Sequence, residues 1–205
     1  MFSFSEEIKI FNNGYSLIGA IDEAGRGSLA GPVVAACVLV KDNYRPSDKL
    51  KKVNDSKKLS SKKRKELCPI IFEEFFEVGI GVCSCGVVDK INVLQASFLA
   101  MKKAVGQLKN KPAYVLLDGG FVIPNFSTKQ QAIKKGDSTV FSIATASIVA
   151  KEARDNIMLK MHKLYPNYGF NQHKGYGTKQ HLERLKQYGP SPIHRRTFAG
   201  VKELI

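Results

Sequence analysis

The sequence predicts an α/β fold: a mixed central sheet flanked by helices, with a helical C-terminal extension. Short apolar runs rich in β-branched residues, such as residues 32–40, are typical of buried strands. Longer segments repeat apolar residues every three or four positions, which is typical of helices. A short glycine-rich loop separates the first two strands, so we expect them to pair antiparallel. We predict one domain over residues 1–205, with a core over residues 1–164 and an extension over residues 165–205.

Acidic residues stand at the ends of several predicted strands. Five strands are predicted, over residues 16–22, 32–40, 78–85, 113–117 and 129–134. The first ends at Asp22, the fourth ends just before Asp118, and the fifth ends shortly before Asp137. In the third strand, Cys83 and Cys85 alternate within an apolar run, so we interpret them as small core residues on one strand face. The four cysteines are expected to be reduced thiols.

Helices are predicted between and after the strands, over residues 60–76, 92–108, 141–164 and 179–188. The first half of the third helix is almost entirely apolar or small, so we expect it to be buried against the sheet. Ser138 or Thr139 could cap this helix, and Thr178 could cap the last one. His162 and His181 lie on predicted helices without the spacing of a paired metal motif. We interpret both as surface or interface residues and expect no zinc site.

The chain is strongly basic. It has 32 Lys and Arg residues against 18 Asp and Glu residues, a formal net charge of +14. The excess is concentrated in residues 48–65 and from residue 129 onward. A chain this basic usually binds a polyanion, and nucleic acid is more plausible than an anionic membrane. No segment has the length of a membrane span and no signal-peptide pattern begins the sequence, so we expect a cytoplasmic protein.

The acids at the strand ends have the character of metal ligands. Asp22, Asp118 and Asp137 occupy similar positions, and Glu23 adjoins the first. A buried carboxylate is costly without a partner, and a divalent cation would remove that cost. Two such ions, about 3.5–4 Å apart, can promote an in-line phosphoryl displacement. The alternative is ordinary turn chemistry, since Asp before Gly is a common turn pair and convergence of the acids depends on an inferred topology.

Two glycine-bracketed loops are candidates for substrate binding. In the first, Gly25 and Gly27 would let backbone amides approach a ligand closely, while Arg26 could bind phosphate. A tight loop with a solvated Arg26 is an equally good interpretation. In the second, residues 173–178, Tyr176 could present its ring to a sugar or base. The alternative is a core tyrosine that fixes its own loop.

Eight motifs run in a constant order through nearly the whole chain. They are residues 22–27 (DEAGRG), 30–36 (AGPVVAA), 54–60 (NDSKKLS), 116–119 (LLDG), 135–137 (KGD), 146–155 (ASIVAKEARD), 168–178 (YGF followed by HKGYGT) and 194–198 (HRRTF). In these motifs the chain closely resembles ribonuclease HII, the bacterial type 2 ribonuclease H. Type 3 enzymes usually carry an extra N-terminal domain and a lysine in place of Arg26, so type 2 is favoured. One departure is Ser28, where the family usually has proline.

The resemblance implies a ribonuclease H-like fold with a metal site of four acids that binds Mg²⁺ or Mn²⁺. It assigns the following residues. The four acids are Asp22, Glu23, Asp118 and Asp137; the loop that senses the ribonucleotide 2′-hydroxyl is Gly25, Arg26 and Gly27; Tyr176 stacks on the sugar beyond the RNA-to-DNA step; Lys57 and Lys58 lie near substrate phosphates.

The implied partners are RNA/DNA hybrid duplexes and DNA that contains even a single ribonucleotide. The implied cut is 5′ to a ribonucleotide and leaves a 3′-hydroxyl and a 5′-phosphate, in the service of ribonucleotide removal. We expect a monomer that binds no membrane. Two alternatives stay open at this stage: a non-enzymatic protein that binds hybrids or DNA, and another metal-dependent phosphoryl-transfer enzyme of the same fold, such as a DNase.

Overall fold

A five-stranded sheet with helices on both faces forms the centre of the molecule. The computed structural model describes residues 4–205. The strands are β1 (Leu17–Ala24), β2 (Val33–Lys41), β3 (Glu77–Cys83), β4 (Tyr114–Asp118) and β5 (Lys129–Ile133). The helices are α1 (Ser5–Asn12), α2 (Ser61–Glu74), α3 (Cys85–Ile91), α4 (Val93–Gly106), α5 (Gly136–Thr139), α6 (Phe141–Leu164), α7 (Phe170–His173) and α8 (Lys179–Tyr188).

The sheet is mixed, and its strand order is β3-β2-β1-β4-β5. β1 pairs antiparallel with β2, and β2 pairs antiparallel with β3. β4 lies parallel to both β1 and β5. β1 and β4 are parallel, so the chain must cross over between them, and it returns from β3 to β4 through α3 and α4. The predicted mixed α/β fold is therefore confirmed.

The two faces of the sheet have separate cores. Because side chains alternate along a strand, Ile18 and Ala20 of β1 belong to the core that includes the apolar half of α6. Ile21 belongs to the opposite core, which includes α4. The first ten residues of α6 are all buried, as predicted, since this half of the helix packs on β1 and β2. The face of β1 that carries Asp22 is therefore the α6 face.

The start of α6 is capped differently from the prediction. Val140 occupies the N-cap position and makes no side-chain capping bond. Instead, Oε1 of Glu7 accepts hydrogen bonds from the backbone N and the Oγ of Ser142, at 2.9 and 2.6 Å. The prediction of Ser138 or Thr139 as the cap was wrong, because α1, which was not predicted, brings a carboxylate to this helix end.

Cys85 does not belong to the third strand. β3 ends at Cys83, and α3 begins at Cys85. Ser84 caps the start of α3, because its Oγ accepts a hydrogen bond from the backbone N of Val87. Cys83 is buried in the core as predicted, whereas Cys85 is only half-buried at the start of that helix. The serine cap outweighs the alternating pattern. All four cysteines are free thiols.

The segment after α6 packs on the loop that joins β1 and β2. Tyr168, Phe170 and Leu185 form a third apolar cluster with Leu29 and Ala30. Two isolated bridges join the same regions, Ser28 with Tyr176 and Ala30 with His194. The extension thus reaches the loop that follows Asp22. Within residues 4–205, no helix combines the length and apolar character that a bilayer crossing requires.

Candidate active site

Strand register brings Asp22 and Asp118 together. In the parallel pair of β1 and β4, Ala20 lies opposite Leu116. Two residues further along each strand, Asp22 and Asp118 project from the same face of neighbouring strands. Asp137 arrives from α5, just after β5, and its backbone N donates to Oδ1 of Asp118 at 3.2 Å. One carboxylate oxygen from each of these three residues lies within 4.8 Å of the other two.

The turn before Asp137 has little room for side chains. Lys135 adopts a left-handed conformation with φ of 58°, which turns the chain from β5 into α5. A Cβ atom on Gly136 would lie 2.7 Å from Cδ1 of Ile143 and 3.5 Å from Oδ1 of Asp118. The absence of a side chain at Gly136 therefore lets α5 lie directly against Asp118 and α6.

The three carboxylates lie close enough together for their negative charges to repel one another. Asp22 and Asp137 are only 4% and 5% exposed. Burial raises the pKa of Asp22 well above its usual value, and repulsion from Glu23 and Asp118 raises it further, against a hydrogen bond from Ser147. Burial also raises the pKa of Asp118. A divalent cation would relieve this repulsion, and three clustered carboxylate oxygens suit a hard ion such as Mg²⁺ or Mn²⁺.

Lys57 lies beside the carboxylates. Its Nζ donates to Oδ2 of Asp137 at 2.8 Å, although the lysine side chain is 74% exposed. This bond raises the pKa of Lys57, and burial partly opposes the shift. The backbone N of Lys57 donates to Oδ1 of Asp55 at 2.9 Å, which orders the loop before α2. Lys58 is exposed, and among the ion pairs of residues 4–205 it forms none with these acids.

Glu23 is not in the group of acids whose carboxylate oxygens lie within 4.8 Å of one another. It follows Asp22 at the end of β1 and lines the same cavity as Asp22 and Asp118. Its Oε1 accepts a hydrogen bond from Nη1 of Arg26 at 3.2 Å. Burial raises the pKa of Glu23, and Arg26 opposes the shift. The structure therefore brings three of the four predicted acids together, and Glu23 as a fourth ligand stays a prediction.

A cavity of about 430 Å³ opens beside these groups and joins the predicted site residues. Its walls include Asp22, Glu23, Asp118, Gly25, Arg26, Gly27, Lys57 and Tyr176, together with Ser56, Ser147 and Lys151. Acidic, cationic, aromatic and backbone groups thus face a single space. Lys58 is not among the lining residues.

The first glycine loop, residues 25–27, packs closely against neighbouring segments at its base. Gly25 has φ of 95°, and a Cβ atom there would lie 2.1 Å from Nε of Arg154. The backbone N of Leu29 donates to the carbonyl of Gly175 at 2.8 Å, which ties this loop to the one that carries Tyr176. Arg26 and Gly27 are exposed at the tip. Close packing from below therefore fixes a loop whose tip faces solvent.

The Tyr176 ring lies beside two cations. Nζ of Lys151 is 5.4 Å from the ring centroid, and Cζ of Arg154 is 5.2 Å from it. Sequence reasoning did not assign Lys151, Arg154 or Ser147 to the site, although all three lie in the ASIVAKEARD motif. The spacing of these residues on one face of α6 was the signal that would have indicated them.

Histidines support the Tyr176 loop from within. His181, which was predicted to be a surface or interface residue, is fully buried. Its Nδ1 lies 2.9 Å from the carbonyl O of Tyr176, and its Nε2 lies 3.0 Å from Nε2 of His194. The backbone N of Ser191 donates to Nδ1 of His194, so the ring hydrogen of His194 lies on Nε2. Burial lowers the pKa of both histidines to about 4.

Comparison with protein families gives one match over most of the chain. Residues 18–201 match the family model described as Ribonuclease HII. The chain is 51% identical over 193 residues to a ribonuclease HII of Caldanaerobacter subterraneus subsp. tengcongensis, an alignment that covers 94% of this chain and 78% of that protein. It is 50% identical over 198 residues to a ribonuclease HII of Clostridioides difficile, covering 94% and 76%.

Solved structures with the same fold include enzymes of two types. The ribonuclease H2 of Pyrococcus horikoshii OT3 superposes with a TM-score of 0.73 at 25% identity, covering 92% of this chain and 96% of that one. The ribonuclease HII of Archaeoglobus fulgidus, solved in a complex with PCNA, gives 0.72 at 27% identity, covering 89% and 95%. A ribonuclease HIII solved with Mn²⁺ gives 0.70 at 17% identity, covering 93% and 69%, which shows the shared fold alone.

Proposed function

The chain belongs to the ribonuclease HII family, and from this membership we propose that it is an endoribonuclease that hydrolyses the RNA strand of RNA/DNA hybrids. We include cutting on the 5′ side of single ribonucleotides embedded in duplex DNA, which leaves a 3′-hydroxyl and a 5′-phosphate. Such a reaction serves the removal of ribonucleotides from DNA. The observation that carries the proposal is the meeting of Asp22, Asp118 and Asp137 beside a cavity on a strongly basic chain.

Asp22, Asp118 and Asp137 would hold the divalent metal, and Glu23 would complete the set from the cavity wall. When bound, Mg²⁺ or Mn²⁺ supplies positive charge to the phosphate and lowers the pKa of water. The backbone N–H of Asp137 keeps Oδ1 of Asp118 in a fixed orientation. Ser147 supports Asp22 in the same way from α6. These contacts keep the carboxylates rigid, so that little reorganisation accompanies the reaction.

Lys57 would steady the anionic groups around the scissile phosphate. Its flexible, exposed stem would let the ammonium reach from Asp137 to a substrate phosphate. Lys58, on the adjacent exposed surface, would contribute to affinity for the backbone rather than to the reaction. Of the two lysines, Lys57 bonds to Asp137 and lines the cavity, whereas Lys58 does not line it, and this difference supports different roles.

The two loops would select the substrate. Gly25, Arg26 and Gly27 would sense the 2′-hydroxyl, which distinguishes RNA from DNA at a given position. Tyr176 would stack on the sugar beyond the RNA-to-DNA step. Both loops face the cavity that contains the acids. We propose further that residues 1–205 act as one catalytic domain, with 165–205 as its helical extension, and that the protein works as a cytoplasmic monomer.

A cleavage assay with three end-labelled duplexes of one sequence tests this function: all DNA, an RNA/DNA hybrid, and DNA with a single ribonucleotide. With Mg²⁺ or Mn²⁺ we expect cuts in the second and third duplexes, and a 3′-hydroxyl upstream of each cut. Excess EDTA should abolish both. Cutting of the all-DNA duplex would favour a DNase, and binding without cutting would favour a non-enzymatic hybrid-binding protein.

A further inference from the structure

Two arginines lie buried beneath the first glycine loop without a carboxylate partner. Arg154 and Arg195 are both 0% exposed. Among the ion pairs of residues 4–205, neither of them takes part. A buried cation without a counter-ion is costly, and apolar residues of similar size would usually serve stability as well. Burial and the charge of Arg154 lower the pKa of Arg195 to about 10. Their presence therefore calls for a functional explanation.

Backbone carbonyls of the loop take the place of a counter-ion. Nη2 of Arg195 donates to the carbonyl of Gly25 at 2.7 Å, and Nη1 donates to the carbonyl of Arg26 at 2.8 Å. Nε of the same side chain donates to the carbonyl of Gly31 at 3.1 Å. One planar guanidinium thus holds two consecutive peptide groups at the loop tip and one at the loop base.

Arg154 braces the remainder of the same connection. Its Nε donates to the carbonyl of Pro32 at 2.9 Å, and its Nη2 to that of Ala30 at 3.0 Å. Its Nη1 donates to the carbonyl of Lys174 at 2.9 Å, close to Tyr176. Hydrogen bonds therefore fix the backbone on both sides of the loop. If the conformation of the loop tip changed, the neighbouring backbone could not easily rearrange to compensate.

The two bonds at the tip determine where the loop amides point. In a planar trans peptide, the C=O of one residue and the N–H of the next point in opposite directions. Because Arg195 draws the carbonyls of Gly25 and Arg26 inward, the N–H groups of Arg26 and Gly27 point away from it. Both residues are exposed and line the cavity. Across residues 4–205, neither of these N–H groups donates to a protein acceptor.

We propose that Arg195 is a positioning residue which aims the free amides of Arg26 and Gly27 at the 2′-hydroxyl of the substrate. Discrimination between ribose and deoxyribose then depends on a side chain of the C-terminal extension, 170 positions from Gly25. The inference deepens the proposed function and rests on it. A lysine at this position would keep the charge but could not hold two consecutive carbonyls in one plane.

Two substitutions at Arg195 test this role: Arg195→Lys keeps the charge, and Arg195→Gln removes it. The neighbouring Arg196 offers matched controls, Arg196→Lys and Arg196→Gln, because its side chain is exposed. All are made in an Asp22→Asn background to prevent cutting. The readout is the ratio of the Kd for an all-DNA duplex to the Kd for the same duplex with one ribonucleotide, with Tm as a check on folding.

We expect both Arg195 substitutions to lower this ratio by about tenfold, the effect of one or two misdirected hydrogen bonds, while affinity for all-DNA duplex stays unchanged. The Arg196 controls should keep the ratio within about twofold of the reference. A ratio retained by folded Arg195→Lys overturns the proposal, and so does a reference protein that binds both duplexes equally. A merely structural role would lower Tm and both affinities together.

Amide NMR keeps the proposal testable if the Arg195 variants do not fold. In the Asp22→Asn protein with its native Arg195, the signals of Arg26 and Gly27 should shift on adding the ribonucleotide duplex but not on adding the all-DNA duplex. Equal shifts with both duplexes overturn the role of these amides. Cutting of the ribonucleotide duplex by the wild-type protein is measured separately, so that failure of the proposed function is recognised on its own.

Discussion

At the scale of single residues, the site depends on a few groups whose burial makes them sensitive to small changes. Asp22 is a clear case, because β1 fixes its backbone, Ser147 contacts its side chain, and two other acids surround it. Replacing Asp22 by asparagine removes the charge and leaves the volume of the side chain almost unchanged. The substitution therefore separates the chemistry of the carboxylate from the packing of the strand.

Asp22→Asn should lower cleavage at least about a hundredfold, since it removes one of the proposed metal ligands, while duplex binding persists. The loss of repulsion with Asp118 and Glu23 should leave the folded protein at least as stable as the wild type. Single-turnover cleavage and equilibrium unfolding measure the two effects. Asp42→Asn, on an exposed acid outside the cavity, is the control. Strong cutting by Asp22→Asn at saturating Mg²⁺ contradicts the assignment.

Tyr176→Ala should impair cutting at a single embedded ribonucleotide more than cutting of a long hybrid, because only the former always places deoxyribose beyond the cut. The expected loss in kcat/KM is about tenfold or more, the usual size of one lost stacking contact. Tyr176→Phe keeps the ring and should behave like the wild type. Equal losses on both substrates would argue against a role at the junction.

Ser28→Ala should stabilise the protein. The Oγ of Ser28 is buried and has no hydrogen-bond partner among the described residues, so its removal should gain about 1 kcal/mol in the free energy of unfolding. Ser142→Ala is the contrasting control, since its Oγ donates to Glu7 at 2.6 Å and its loss should destabilise. Chemical denaturation measures both. A large destabilisation by Ser28→Ala would show that this hydroxyl has a partner.

At the scale of elements, the extension is joined to the loops by a chain of buried histidines. Ser191 donates to His194, whose Nε2–H faces Nε2 of His181, and Nδ1 of His181 faces the carbonyl O of Tyr176. Each ring can complete these bonds only when it is neutral. A second proton on either ring would place two N–H groups face to face.

The free energy of unfolding should therefore rise with pH between about 4 and about 6.5. The folded-state pKa of His181 and His194, about 4, lies below the usual 6.5, so the unfolded chain binds more protons between those values. The contribution is complete above pH 6.5 and is lost as pH falls toward 4, by about 3 kcal/mol for each ring. His194→Gln should flatten the slope of unfolding free energy against pH. An unchanged slope would contradict neutral buried rings.

Several elements were predicted well because their signals are local. α6 and α8 have the predicted bounds, since apolar runs, Pro166, Gly189 and the Thr178 cap act over a few residues. The short helices α1, α3, α5 and α7 were not predicted. They carry weak periodicity of their own and are stabilised by contacts with distant segments, as Glu7 with Ser142 illustrates.

At the scale of the whole molecule, the charge of +14 is the dominant feature, and it surrounds a site made of acids. Such an arrangement attracts a polyanion over its surface and requires cations at its centre. A metal-dependent nuclease therefore explains a basic protein with clustered carboxylates better than a protein that only binds nucleic acid does.

Affinity for any duplex should fall steeply with salt, because each phosphate contact releases condensed counterions. A plot of log Kd against log salt should have a slope of several units, nearly the same for hybrid and all-DNA duplexes. Lys57→Gln and Lys58→Gln should each reduce the slope by about one unit, and only the former should also lower kcat. A slope near zero would contradict electrostatic binding.

The sequence by itself determined the types of the elements, the acids at strand ends and the family, because these follow from local patterns and ordered motifs. Only the tertiary structure decided which side chains contact one another. It paired Lys57 with Asp137, paired Glu23 with Arg26, and placed Arg195 beneath Gly25. The first and last of these contacts join distant parts of the chain, and the burial that gives them their strength exists only after the sheet, α6 and the extension have packed together.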